Sequence, residues 1–306
     1  MNTHNVLTRD VNGYADGLSL NSVLGNILTS GGTRYFLDGN SGVDTNDGLS
    51  WGSAFKTWAA AVAASDTNIA LSSSHWASRN SIFVRTDCDE VIVKLPNKCD
   101  VYGVGSYNAE RKSTITGNIL LASASGGTRI YNMAFKAPAG GGNIFTSPSL
   151  SYGGISLIDC EIDARSTAIA GIGIMATPCY RLQLIRTNFI GQFATAAISL
   201  GAGQSRGLLI DDCFIESGAA GILVNASFTS SDMQAAVINN KFAVTGAIMT
   251  DLSDKIMFSG NRGFTKTDGK LASCLDYNAN LASDNYFSCS GGTMSPYPVV
   301  TAAIPS

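Results

Sequence analysis

Leu157-Ile158-Asp159-Cys160-Glu161-Ile162 is followed 27 residues on by Leu184-Ile185-Arg186-Thr187-Asn188-Phe189. Ile210-Asp211-Asp212-Cys213-Phe214-Ile215 and Val237-Ile238-Asn239-Asn240-Lys241-Phe242 continue the series, at steps of 26 and 27. An earlier copy is Ile130-Tyr131-Asn132-Met133-Ala134-Phe135; later ones are Phe258-Ser259-Gly260-Asn261-Arg262-Gly263 and Ala282-Ser283-Asp284-Asn285-Tyr286-Phe287. Most copies place an apolar residue first and sixth, and a small or amide residue fourth. The fourth column reads Met133, Cys160, Thr187, Cys213, Asn240, Asn261, Asn285. A second ladder is read at Ile144, Ile172, Ile198, Ile222, Ile248 and Leu275, with the same drifting period.

A repeat of this length built from helices would need a 3.6-residue apolar pattern. These segments are instead short, β-rich and separated by Gly-Gly, Ala-Gly and Ser-Gly turns. The pattern predicts an all-β fold, a parallel β-helix solenoid over residues 80–290. One coil cannot bury its inward side chains alone, whereas coils stacked about 4.8 Å apart bury them as columns. Aligned Asn240, Asn261 and Asn285 are expected to form an amide ladder. Cys160 and Cys213 then fill the same inward turn as small groups. The columns are hard to trace between residues 80 and 120, and the step shortens at residue 258.

Composition agrees. Of 306 residues only 14% are charged and 33 are glycine, where soluble chains average about 25% charged and about 7% glycine. With 45% hydrophobic residues and a net charge of -3 the chain does not have the composition of a disordered protein. Twenty basic against 23 acidic residues, without long runs of either sign, give no nucleic-acid footprint. No apolar stretch approaches the ~20 residues needed to span a bilayer, and residues 1–5 lack the pattern of a signal peptide. The seven cysteines (88, 99, 160, 179, 213, 274, 289) fit neither a zinc site nor a compact disulfide framework; they read as buried thiols of a protein made in a reducing cytoplasm. A Cys88–Cys99 pair is the one local disulfide the spacing suggests.

Ahead of the repeat, residues 33–79 read as a lead-in strand and a capping helix. Residues 1–32 read as a polar, turn-rich attachment segment and residues 291–306 as an extended tail. Tyr35-Phe36-Leu37-Asp38-Gly39 passes through Asp44-Thr45-Asn46-Asp47-Gly48 to Gly52-Ser53-Ala54-Phe55-Lys56-Thr57-Trp58. This stretch resembles the beginning of pectate-lyase-like right-handed β-helix proteins, especially those of bacteriophage particles. The resemblance implies right-handed coils and a short N-terminal helix over the open apolar end. Ser53 is the expected N-cap, with Phe55, Trp58, Ala59 and Val62 on the buried face.

Chemistry-bearing constellations are sparse. Asp44-Thr45-Asn46-Asp47-Gly48 has the glycine and the twelfth position wrong for an EF-hand. A looser calcium loop would use Asp44, Asn46 and Asp47, against the simpler reading of turn-forming side chains. A polysaccharide-cleaving site would draw on Asp159, Glu161, Asp163, Asp212 and Glu216, since glycoside hydrolysis needs two carboxyls roughly 5–9.5 Å apart. Asp159, Arg186 and Asp212 also form an alternating-charge column that would stabilise a solenoid surface without any substrate. The two histidines, His4 and His75, lie outside the repeat, and no serine or cysteine has a triad context. Gly171-Ile172-Gly173 and Ala139-Gly140-Gly141-Gly142-Asn143 lack the settings of nucleotide or phosphate loops. No cofactor is expected.

Two readings of function follow. In the first the chain is a structural virion component without catalytic activity. The resemblance implies a homotrimeric capsid decoration or small spike protein, joined through residues 1–32 to the major capsid protein or tail proteins, that stabilises the shell, adheres to host surface polysaccharide, or does both. The charge balance and the lack of a long apolar stretch lead to the expectation of no nucleic-acid partner and no membrane insertion. In the second it is a tail-spike-type polysaccharide lyase or glycoside hydrolase.

Overall fold

The computed structural model describes residues 31–71, 78–104, 112–121, 126–147, 154–165, 171–176, 181–205, 207–225, 228–230, 235–251, 256–265, 275–276, 282–283, 285–289 and 295–296. The anticipated attachment segment therefore lies almost wholly outside the described residues, as do His4 and His75. Ser295–Pro296, within the anticipated tail, pairs antiparallel with Tyr286–Phe287.

The described chain is mostly β, and every other strand pairing is parallel. A ten-stranded sheet runs from Gly31–Leu37 to Ala282–Ser283, and a second, curled sheet carries the remaining long series of strands. From Arg79–Val84 to Ala282–Ser283, successive members of each sheet are separated in sequence by strands of the other. This arrangement fits an all-β parallel solenoid.

The registers coincide with the repeat. In the ten-stranded sheet Ile130, Leu157, Leu184, Ile210, Val237, Phe258 and Ala282 stand in register. The column continues back through Val101 and Ile82 to Tyr35, at intervals that the repeat length does not predict. The long interval between Tyr35 and Ile82 contains the helix. In the curled sheet Phe135, Ile162, Phe189, Ile215, Phe242, Gly263 and Phe287 stand in register.

The second ladder is corrected. Its register is Val93, Ile119, Phe145, Ile174, Ile198, Ile222, Met249 and Leu275, so Phe145, Ile174 and Met249 replace Ile144, Ile172 and Ile248. The physical reason is that these strands follow tight turns whose own residues are also apolar. Ile144 and Ile248 are buried beside the column, while Ile172 is only half-buried and pairs with Ala196.

From Cys160 onward the fourth column performs one task, which the thioether of Met133 cannot share. Cys160 Sγ donates to Ile130 O at 3.4 Å, Thr187 Oγ1 to Leu157 O at 3.1 Å and Cys213 Sγ to Leu184 O at 3.4 Å. Asn240 Nδ2 donates to Ile210 O at 2.9 Å, Asn261 Nδ2 to Val237 O at 2.9 Å and Asn285 Nδ2 to Phe258 O at 2.8 Å. Each donor reaches the first-column carbonyl of the preceding coil. The asparagines also form the expected ladder: Cys213 N donates to Asn240 Oδ1, Asn240 N to Asn261 Oδ1 and Asn261 N to Asn285 Oδ1, each at 2.9 Å. Burial pushes the Cys160 thiol up to about 11 and the Cys213 thiol up to about 12, so both stay protonated and keep their donor.

The third-column residue takes a left-handed backbone in the copies from Asn132 to Gly260. Asn132, Asp159, Arg186, Asp212 and Asn239 have φ of 54°, 55°, 47°, 50° and 58°, and Gly260 has 67°. Asn, Asp and Gly tolerate this region best, which accounts for the composition of the third column. Arg186 is the exception, and its guanidinium holds Asp159 at 2.7 and 2.9 Å.

At the first strand, residues 38–55 fold back along the sheet edge. Phe36 N donates to Gly48 O, Phe55 N to Phe36 O and Asp38 N to Phe55 O, covering groups that would otherwise invite another strand. Ser50, not Ser53, accepts at the start of a 3-10 turn, Trp51–Ser53. The α-helix is Trp58–Leu71, with Thr57 Oγ1 accepting from Ala60 N. Its buried face is Trp58, Ala61, Val62, Ser65 and Ile69, whereas Ala59 is exposed. The face is tied down by Trp58 Nε1 donating to Lys94 O at 2.6 Å and Asn80 Nδ2 donating to Ser65 O at 2.9 Å.

Asn261 satisfies all its side-chain donors and acceptors inside the stack, and removal would strand several buried partners at about 1–3 kcal/mol each. Asn261→Ala is expected to lower the unfolding free energy by about 3 kcal/mol in urea titration. A loss below about 0.5 kcal/mol, the size of an ordinary surface substitution, would contradict this role.

Candidate functional site

Glu161 and Asp163 occupy alternate, outward positions of the strand Glu161–Ala164, flanking the inward Ile162. They are nevertheless only 1% and 5% exposed. Their Cα atoms lie about 6.6 Å apart along the strand, and one guanidinium joins them. Arg165 Nη2 donates to Glu161 Oε1 at 2.7 Å and to Asp163 Oδ2 at 3.1 Å; its Nε and backbone N donate to Asp163 Oδ1 at 3.0 and 2.8 Å. Lys136, in register with Asp163 on the preceding strand, stands 4.0 Å from it. Lys112 Nζ donates to the Asp159 carbonyl at 2.6 Å.

The two carboxyls respond in opposite directions. Burial raises Glu161 above the ordinary glutamate range, and the nearby Arg165 charge offsets only part of this. Its Oε2 is buried without a hydrogen-bond partner. Burial pushes Asp163 upward too, but the Arg165 hydrogen bonds outweigh it and hold the group below the ordinary aspartate range. Neighbouring carboxyls whose environments push their proton affinities apart are a pattern used in general acid–base chemistry. Here one guanidinium bridges the two carboxyls, which opposes a catalytic use of the pair.

The other anticipated residues are dispersed. Asp159 lies on the left-handed turn and pairs with Arg186, so this part of the expected charge column forms. Asp212 is exposed on the equivalent turn two coils on. Glu216 shares the outward column of Asp163, but Ile190 stands between them in register; Glu216 itself pairs with Ala243. An alternating-charge group not anticipated from the sequence lies earlier: buried Asp100 receives Arg79 Nη1 at 2.9 Å and Arg129 Nε and Nη2 at 2.7 and 2.6 Å. The signal was available in the spacing of Asp100 and Arg129, which equals the 29-residue step of that coil.

The Asp44–Asp47 loop is occupied by its own hydrogen bonds. Asp44 Oδ1 accepts from the Lys56 and Thr57 amides at 2.9 and 2.8 Å, and Asp44 Oδ2 accepts from Thr57 Oγ1 at 2.9 Å. Asp47 Oδ1 accepts from Leu49 N and Ser53 Oγ, and Asn46 Nδ2 donates to Ala54 O. These bonds build the turn and the helix start. Among the described residues no three His, Cys, Asp or Glu side chains gather around a metal position. Cys88 and Cys99 are separate buried thiols on different sheets, so the suggested local disulfide is not formed.

Two further features were not visible in the sequence. A cleft of about 350 Å³ is lined by Asp89, Glu90, Thr116, Pro138 and Ala139, beside an irregularity in the register between Asp89 and Ile92. Burial raises the Glu90 carboxyl, and its Oε1 accepts from Ala59 N at 2.9 Å, which commits it to the helix start. On the ten-stranded sheet Phe36, Phe83, Tyr102 and Tyr131 stack in register, with centroids 5.5, 5.3 and 4.9 Å apart. The ring faces cover one another, so the stripe stabilises coil register in preference to offering a platform for sugar rings. No described helix is long and apolar enough to cross a membrane.

No protein-family model, curated protein or solved structure shows significant similarity to this chain.

The opposed carboxyl environments predict a specific pH response. Ionised Glu161 costs more in the folded than in the unfolded chain, so its contribution to stability is full at low pH and is lost as pH rises through the raised value. Asp163 acts in the opposite sense, contributing above the unfolded aspartate value and losing that contribution as pH falls through its depressed one. The melting-temperature difference, Glu161→Gln minus wild type, is expected to increase from about pH 4 to about pH 7. A difference independent of pH would show that Glu161 titrates normally.

Proposed function

We propose that the chain is a right-handed parallel β-helix serving as a structural component of a bacteriophage particle. In this reading it is a homotrimeric capsid decoration or small spike protein, made in the host cytoplasm. Residues 1–32 attach it to the major capsid protein or to tail proteins. It stabilises the shell, adheres to host surface glycan, or does both. Right-handed winding is what parallel crossover connections adopt in about 98% of cases.

The observation that carries the proposal is how the chain employs its polar side chains. The fourth column is consumed by bonds from coil to coil. Asp100, Asp159, Glu161 and Asp163 are engaged by arginines of the same or a neighbouring coil. Polar groups engaged in this way support a structural role for the chain. The resemblance of residues 35–58 to phage β-helix proteins adds the setting.

The alternative, a polysaccharide lyase or hydrolase, is favoured by the divergent Glu161 and Asp163 environments and opposed by the Arg165 bridge between them. The distinguishing experiment is compositional analysis and electron microscopy of particles of the virus that encodes the chain. Many symmetry-related copies on the particle are expected, lost when residues 1–32 are deleted. Absence from purified particles, or attachment unaffected by that deletion, would overturn the proposal.

A further inference from the structure

The outward face of the curled sheet carries two cations in direct register near its C-terminal coils. Lys241, in the strand Lys241–Val244, pairs with Arg262, in the strand Arg262–Thr265. Parallel pairing sets their Cα atoms about 4.8 Å apart, and both residues are exposed. Like charges directly opposite on one face of a sheet repel each other.

Elsewhere on these sheets the chain sets a carboxylate beside its cations: Asp100 between Arg79 and Arg129, Asp163 beside Lys136, Asp159 beside Arg186. At Lys241 and Arg262 no ion pair or side-chain hydrogen bond does so among the described residues. Glu216, one step diagonally away through the Phe214–Lys241 and Glu216–Ala243 registers, does not pair with Lys241. Among the described residues, then, nothing compensates the repulsion.

Two exposed phenyl groups border the cations. Phe214, 36% exposed, is in register with Lys241, and Phe264, 38% exposed, lies two residues beyond Arg262 on the same face. Between Glu216 and Phe264 in the adjacent column stands Ala243, whose small side chain leaves the face shallow.

We propose that Lys241 and Arg262 together form a binding site for one tetrahedral oxyanion, a phosphate or sulfate group carried on an organic framework. The guanidinium supplies paired, planar donors and the ammonium a mobile point charge, which suits one group with several acceptor oxygens. Phe214 and Phe264 are the apolar shoulders against which the carrier rests, so an ester binds in preference to the free ion. The site does not depend on the assembly reading.

The test is titration of the full chain at low ionic strength with phenyl phosphate, phenyl sulfate, inorganic phosphate and a neutral phenyl glycoside, followed by calorimetry. Saturable binding of at least one ester is expected, about tenfold tighter than inorganic phosphate, with no binding of the glycoside. The two esters distinguish phosphate from sulfate as the preferred group. Lys241→Ala/Arg262→Ala should weaken ester binding about tenfold or more, while Phe214→Ala/Phe264→Ala should remove only the advantage over inorganic phosphate. All four side chains are exposed, and circular dichroism checks that each variant remains folded. Absence of saturable ester binding, or binding unchanged in the folded Lys241→Ala/Arg262→Ala variant, would overturn the proposal.

Discussion

Stacking short coils buries turns as well as strands, and every buried turn brings backbone carbonyls away from water. An unpaired carbonyl there would cost about 1–3 kcal/mol. From Cys160 onward the side chain at the fourth position of the repeat meets this constraint by donating to the first-column carbonyl one coil back. Cysteine, threonine and asparagine are chemically unlike, but each is small and each carries a donor. Asparagine adds an acceptor, and from Asn240 onward the column becomes a continuous ladder instead of a set of isolated bonds.

This bond fixes register without fixing coil length. The apolar columns stay aligned although the chain between successive members ranges from the short Ile82–Val101 interval to the long Tyr35–Ile82 interval that contains the helix. Excess length leaves as loops, and those loops need glycine. Charge is scarce because inward positions take Ile, Leu and Phe. Asp100 and Asp159 are matched to an arginine at coil spacing, and Glu161 and Asp163 to Arg165 on their own coil. Lys241 and Arg262 depart from that habit, so this face is chemically different from the rest of the wall.

Much of this was legible in the chain itself. The first and sixth columns from Ile130 to Phe287 were readable because the turn-forming third and fourth residues between them, mostly Asn, Asp, Cys or Thr, fix the alignment of each copy. The amide ladder followed from the same alignment. The second ladder was displaced because Ile144-Phe145 and Ile248-Met249 are adjacent apolar pairs, and hydrophobicity alone does not say which member enters the column. Coils before residue 130 were obscured by unequal steps. Glu161 and Asp163 were visible as a carboxyl pair, but their joint capture by Arg165 depends on the chain turning back immediately after the strand, which periodicity does not encode. The thiol donors of Cys160 and Cys213 were likewise readable only as small side chains until the carbonyls opposite them were placed.

The coil-to-coil ladder is tested most directly by native-state hydrogen exchange at the amides of Cys213, Asn240 and Asn261. Each is buried and donates to an asparagine side chain of the next coil, not to a backbone carbonyl. The account predicts that all three exchange only through the largest cooperative opening, as slowly as the central strand amides. Exchange of these amides at rates typical of surface turns, with the neighbouring strands still protected, would contradict it.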